Sequence, residues 1–492
     1  MLAADSISHD RTTSNVAEPR PTAAERSVLR VAAAAPRWGA FSHTPFAVMW
    51  VATTCSFTGL AISDTASAWL MTSLNPDPRA VTLVQVASTL PMFLCTVPAG
   101  VLADMVAPRR FLIILETFVT ALMGLFGAVI FFHWLNPVCL LSTNLALSIA
   151  WSLTTPAWLS ITPLLVPPRD LAGANAANSV GYNISRAVGP LVAGLALARL
   201  GPAAAYWIFA VADSMSIAAL VWWRPPRKTS SRFTRGRFTG ALRIGFRHAV
   251  KNKPLQATMI RTVAVCPFAS AYLALLPLIA RHQVAQRGPL FYSVLLAVVS
   301  IGAVLGSLAL AWMRKRFGPD LVVALGTGGL AVALVVFGLA HYPVVAGAAA
   351  LIAGTAWTIV LAGLYVSAQI ALPDWVRGRG LAIFLTVIFG SVALGSAIWG
   401  QVAANVGLEA ALFASAAGAL LAIPLSWRWK LRSGEEAELS ASAPEGGADR
   451  EARGGPRPRR EGQRTVHLGN SNLAPRAPAA IAGNRSKPIT RS

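Results

Sequence analysis

Arg186 has more chemistry to answer for than any other residue in this sequence. It lies near the middle of an apolar stretch over residues 171–199, where an arginine costs about 2.5 to 3.5 kcal/mol on insertion scales, so it must face a polar cavity or a carboxylate. Asn183 stands three residues earlier, on the same face of a helix. Three carboxylates fall within comparable stretches: Asp64, Glu116 and Asp213. Exchanging a proton for a second solute needs a carboxylate that desolvation makes protonatable near neutrality and a cation close enough to modulate its charge. Asp64 and Asp213 are best placed for this. Glu116 is nearer one end of its stretch, and Arg261 is near enough to the start of another to snorkel, so both rank lower. The plainer alternative is that each carboxylate is only a buried structural partner of Arg186. Gln369 is a further polar side chain able to hydrogen-bond in a cavity.

Other chemistries find little support. Cys55, Cys95, Cys139 and Cys266 each stand alone in apolar sequence, and the seven histidines fall in tails or loops, so neither a metal centre nor a histidine proton relay is expected. No GxxxxGKS pattern is present to cradle ATP, and no cofactor is expected. Trp151, Trp357 and Trp399 fall mid-stretch, where packing is the better reading and cavity lining the sharper one.

The elements that must hold these residues are membrane spans. The chain has 492 residues, 55% hydrophobic and only 13% charged, with a mean hydropathy of +0.56, which excludes an ordinary soluble enzyme. Twelve runs are long enough to cross a bilayer: 46–71, 80–103, 111–134, 138–166, 171–199, 203–223, 256–281, 289–312, 320–340, 343–371, 379–405 and 408–427. Ten basic residues and no acid lie between Trp223 and Gln256, and Arg109, Arg110, Arg169, Arg314, Lys315, Arg316, Arg377 and Arg379 fall on the same side. The positive-inside rule then puts both termini in the cytoplasm. The formal charge of +22 is thus topological, and nucleic-acid binding is not expected.

Sliding the chain by 206 residues places Arg110 on Arg316, Pro137 on Pro343, Trp151 on Trp357 and Gly201 on Gly407. Six spans per half make this repeat parallel, with its axis along the membrane normal. The expected organisation is an all-α protein of two six-helix bundles: a tail over 1–45, a bundle over 46–223, a basic cytoplasmic linker over 224–255, a second bundle over 256–429 and a disordered tail over 430–492.

The stretch WLMTSLNPDPRAVTLVQVASTLPMFLCTVPAGVLADMVAPRR resembles the second-helix and loop signature of major facilitator transporters, in the form used by the bacterial transmembrane secretion effector branch, which includes enterobactin export. TPAW at 155–158, NISRAVGP at 183–190, LLPLIAR at 275–281, QIALPDWVRGR at 369–379 and GSAIWG at 395–400 add to the resemblance. It implies secondary, proton-coupled export of a small siderophore-like or drug-like molecule by a monomer in the lipid bilayer. An importer of the same fold and a non-transporting sensor or scaffold are the alternatives.

Gly100, Asp104, Arg109 and Arg110 match the family's loop, with Asp104 expected to latch onto the start of the eleventh span near Asp374, Arg377 and Arg379. Met105 and Pro108 depart from the pattern, and Leu310 replaces the acid in the second half. Gly189, Pro190 and Gly194 resemble the glycine-proline motif of drug/proton antiporters, with Ala193 where a further glycine is usual; with Gly302, Gly306, Gly395 and Gly400 they are expected to pack one bundle on the other. Asp213 takes a position that the family resemblance associates with Asn.

Overall fold

The computed structural model describes residues 39–224, 252–283, 288–373 and 376–431. The expected tails and the basic linker fall mostly outside them. All regular structure among the described residues is helical, in eleven long helices: α1 (Thr44–Leu74), α2 (Pro78–Met105), α3 (Pro108–Phe131), α4 (Pro137–Leu165), α5 (Leu171–Arg199), α6 (Pro202–Trp222), α7 (Lys253–Leu278), α8 (Pro289–Gly338), α9 (Pro343–Ile370), α10 (Arg377–Val406) and α11 (Leu408–Ser426).

Proline sets where most of them begin. It occupies one of the first two positions of α1, α2, α3, α4, α6, α7, α8 and α9, where its missing N–H is no loss and its fixed φ suits the first turn. Asp77, Asn136 and Asn252 add side-chain caps to α2, α4 and α7. Gly201 and Gly407, the pair related by the 206-residue offset, both precede a helix with positive φ, 88° and 94°. Only glycine reaches that conformation without strain.

Ten of the described helices are long and apolar enough to cross a membrane, against twelve runs expected from the sequence. Two local features make the difference. The α5 helix carries Asn175, Asn178, Ser179, Asn183, Ser185 and Arg186, which dilute its hydropathy. The expected runs 289–312 and 320–340 are joined in the 50-residue α8, where Gly318 departs from helical geometry at φ 69° and ψ 168°. Gly302 and Gly306 lie against Leu351 and Thr355 of α9, while Gly326 and Gly329 lie against Val360 and Ala356 of the same helix. Residues 302 and 326 would stand about 36 Å apart on a straight helix, so α8 turns back at Gly318 and places both arms beside α9.

The helices of each half meet the other half along two seams, α2 on α10 and α5 on the first arm of α8. Small residues let the backbones close at both. Gly400 of α10 meets Thr82 and Pro78 of α2, Gly390 meets Phe93, and Gly194 of α5 meets Ser293 and Leu290 of α8. In a bilayer no hydrophobic force separates protein from lipid tails, so this close packing supplies the attraction.

Candidate functional site

The N-terminal half holds a half-open cavity of about 320 Å³ between α1, α2, α4 and α5. Its wall is aromatic: Trp50 and Phe57 from α1, Trp151 and Trp158 from α4, and Tyr182 from α5. Phe57 holds the arrangement, meeting Trp151 and Tyr182 edge-on at 5.4 and 5.6 Å between ring centres. Thr53, Thr154, Thr155, Thr162 and Asn178 supply the polar atoms, and no charged side chain lines the wall among the described residues. Such a surface suits flat aromatic matter with a few neutral hydrogen-bonding groups. Of the three tryptophans singled out in the sequence, Trp151 lines this cavity, while Trp399 donates to the Pro267 carbonyl and Trp357 packs in the C-terminal half.

One helical turn beyond Tyr182 comes Arg186. Its guanidinium carbon lies 5.9 Å from the Tyr182 ring centre. Arg186 and Asp64 attract each other electrostatically, and Asp64 also feels the hydroxyls of Tyr206 and Tyr292. Asp64 therefore looks into the protein, yet its side chain and that of Arg186 both keep uncovered surface. They do not touch: the ion pairs among the described residues are His43–Asp170, Arg169–Asp170 and Arg261–Asp320. The buried hydroxyl of Tyr272, which also feels Arg186, has no hydrogen-bond partner among the described residues.

Glu116 and Asp213 form a separate, closed cluster. They are 2% and 0% exposed and lie close enough to interact with each other. Asp213 accepts from Ser56 Oγ at 2.6 Å and Thr120 Oγ1 at 2.8 Å, and Glu116 Oε1 accepts from Trp158 Nε1 at 2.8 Å. Glu116 is buried by neighbours on α4 and α6, which its place along its own helix does not show. Arg261 likewise does not snorkel: it is 2% exposed, pairs with Asp320 at 2.8 Å and donates to the Trp429 carbonyl.

Other expected members lie elsewhere. Asn183 turns back onto its own helix, donating to the Ser179 carbonyl at 2.8 Å. Gln369 is the penultimate residue of α9, far along the helix from mid-span. Arg109 donates to the Leu220 and Val221 carbonyls at 2.7 and 3.0 Å, neutralising free acceptors at the end of α6 rather than joining the halves. Arg110 and Arg379 are exposed, as is Arg377, which has a partner. Asp374 lies outside the described residues, and for Gly100 and Asp104 only the helical backbone is described. Of the seven packing residues, Gly194 and Gly400 sit between the halves. Gly189 closes on Ala61 and Thr58 of α1, Gly302 and Gly306 on α9, and Gly395 on Pro267 and Ser270 of α7. Pro190 is buried within α5.

Beside the bond from Ser300 Oγ on α8 to the Arg186 carbonyl on α5 at 3.0 Å, two further polar links between the halves were not anticipated. Arg281, just past α7, donates to Thr72 Oγ1 and Ser73 Oγ at 3.0 Å each. Arg79 Nη2 donates to Asn405 Oδ1 at 2.8 Å. Both lie at the end of the molecule where α1 gives way to α2. Nothing in the spacing of neutral acceptors marks them in a sequence.

A family model described as "Transmembrane secretion effector" matches residues 35–453. The chain is 24% identical over 373 residues to the multidrug efflux pump Tap of Mycolicibacterium fortuitum, covering 72% of this chain and 88% of that one. It is 26% identical over 275 residues to the enterobactin exporter EntS of Escherichia coli, covering 55% and 64%. Among solved structures, the nucleoside transporter NupG superposes with a TM-score of 0.63 at 12% identity, over 78% of this chain and 98% of that one. An inward-facing, unoccupied bacterial homologue of the lysosomal transporter Spinster superposes with a TM-score of 0.60 at 15% identity, over 80% and 98%.

Proposed function

We propose, from the premise that this chain belongs to the transmembrane secretion effector family of major facilitator transporters, that it exports a small aromatic molecule in exchange for protons. Membership makes it a multi-pass membrane transporter and not an enzyme. The finer reading is an alternating-access monomer of twelve crossings in the inner membrane. The turn at Gly318 supports counting α8 as two crossings, and the basic loops support cytoplasmic termini. On that orientation, the Arg281 and Arg79 links hold the outer face closed, which is the state in which a cytoplasmic compound loads.

The observation that carries this reading is an uncharged aromatic cavity whose wall residue Tyr182 lies against Arg186, which in turn attracts Asp64. The rings bind the apolar body of the substrate. The carboxylate, its charge tempered by Arg186 without direct contact, is free to take up and give back a proton. A potential of about 150 mV supplies about 3.4 kcal/mol per proton, enough for roughly a 300-fold gradient of a neutral compound. The efflux and export functions named for Tap and EntS favour the outward direction.

Everted vesicles carrying the chain test this. Adding an exported aromatic compound should discharge an imposed pH gradient, because each molecule entering the lumen releases a lumenal proton. Proton-driven uptake of the same compound into right-side-out vesicles, without discharge in everted ones, would assign import instead.

A further inference from the structure

The chain ahead of α1 supports the aromatic cavity from outside. Gly39–Ser42 makes one short 3-10 turn, closed by Ser42 Oγ donating to the Gly39 carbonyl at 2.6 Å. Sequence alone offers these residues as the end of a tail, yet Ala40 is buried in one apolar cluster with Phe46, Val166, Ala174 and Ala177. Phe41 meets Phe46 and Trp50 edge-on, at 5.4 and 5.1 Å between ring centres. Phe46 and Trp50 both line the cavity, whereas Phe41 stands behind them and does not. We propose that Phe41 is a positioning residue that acts through Phe46 and Trp50 to set the largest aromatic ring system the cavity accepts.

Trp50 is held from two directions. On one, its Nε1 donates to the Ala177 carbonyl of α5 at 2.8 Å, and a Cβ at Gly181, one turn further along α5, would stand 3.2 Å from the same nitrogen. These contacts hold the nitrogen of the indole, and Phe41 holds the ring against turning about it. The turn that carries Phe41 is tied down in its own right: His43 Nε2 donates to Asp170 Oδ2 at 3.0 Å, at the head of α5. Arg169 Nε lies 3.6 Å from the same oxygen. A wall backed by packed side chains resists expansion, because its rings cannot retreat unless something behind them gives way. Truncating Phe41 removes that backing. Phe46 and Trp50 then have room to withdraw, so a larger ring system enters more easily, while a small one loses contact with the wall.

This inference rests on the aromatic cavity being the ligand site of the proposed exporter, but it concerns binding and needs no turnover. The probes are 1-naphthol and the larger 9-phenanthrol, both uncharged at neutral pH, and each Kd is measured by equilibrium dialysis against the full-length protein in detergent. Phe41→Ala should shift the ratio of the two Kd values at least about fivefold in favour of 9-phenanthrol, against the roughly 10- to 200-fold that one methylene carries in an apolar pocket. Phe41→Leu, a milder truncation, should shift it the same way by at least about twofold, so the test does not depend on the alanine variant folding. Phe41→Tyr keeps the ring and should hold the ratio within about twofold of wild type. Loss of stability alone lowers the bound amount of both probes together and leaves their ratio where it was. An unchanged ratio in Phe41→Leu and in any folded Phe41→Ala overturns the proposal, as does a ratio that moves as far in Phe41→Tyr, or wild-type protein that binds neither probe. The expected shift in a protein that moves no substrate would sink the export reading and leave this one standing.

Discussion

Asp64 on α1 and Arg186 on α5 attract each other across the protein interior without closing into a contact ion pair. Both keep uncovered side-chain surface although each sits mid-helix. A structural pair would be closed and dry. An open one leaves each charge available to a ligand or a proton. Arg186→Ala should therefore lower transport at least about tenfold, while thermal unfolding shifts by no more than a surface substitution does, about 0.5 kcal/mol. Arg186→Lys keeps the charge but loses the planar donors and should recover only part of the flux. An unfolding midpoint that collapses in Arg186→Ala would make the residue structural.

Arg261 and Asp320 give the opposite expectation. Arg261 is almost wholly buried and touches its partner at 2.8 Å. Truncating Asp320 to Ala leaves a buried guanidinium without its counter-charge, a loss of about 3 to 5 kcal/mol. Thermal unfolding in detergent should register it as a marked drop in midpoint. Replacing both residues with apolar ones should restore much of the loss.

The two halves are pinned at one end by Arg281 on Thr72 and Ser73 and by Arg79 on Asn405. A hydrogen bond to a charged group contributes about 1.5 to 3 kcal/mol. Arg79→Ala and Arg281→Ala together should shift the balance of open and closed states at that end by more than about tenfold. Spin labels at exposed positions on α2 and α10 would report a longer-distance population. An unchanged distance distribution would show that glycine packing alone holds the seam.

Helix starts were the most legible feature of the chain: every expected run except 320–340 begins within three residues of an observed helix start, because an apolar run is a local property that needs no help from tertiary contacts. Gly201 and Gly407 could be read as a repeat for the same local reason: both need a positive φ just before a helix. The burial of Glu116 could not be read from sequence. Its burial and its bond to Trp158 are made by other helices, and distance along its own helix carries no information about them. The small face of Gly302 and Gly306 was legible as a close-packing surface, but its partner was not. Any helix can use such a face, and here α9 takes it instead of α5.

That distinction is testable. Gly194→Val places a branched side chain against Ser293 and Leu290 of the other half, whereas Gly302→Val drives it into the backbone of α9. Gly194→Val should leave folding largely intact and impede the movement of one half on the other, seen as lost transport with retained ligand binding. Gly302→Val should destabilise the C-terminal half by about 1 to 3 kcal/mol and reduce the yield of monodisperse protein. Reversed outcomes would mean the seam lies elsewhere.

The account depends most on a proton crossing against the substrate through Asp64 and its unpaired neighbour Arg186. Purified protein in sealed proteoliposomes, with an imposed pH gradient and an internal pH dye, measures both fluxes together. The account predicts that wild-type protein moves an aromatic substrate only when protons move the other way, and that Asp64→Asn, still folded and still binding, abolishes that coupling. Substrate accumulation driven equally well in Asp64→Asn, with the same proton movement, would contradict it.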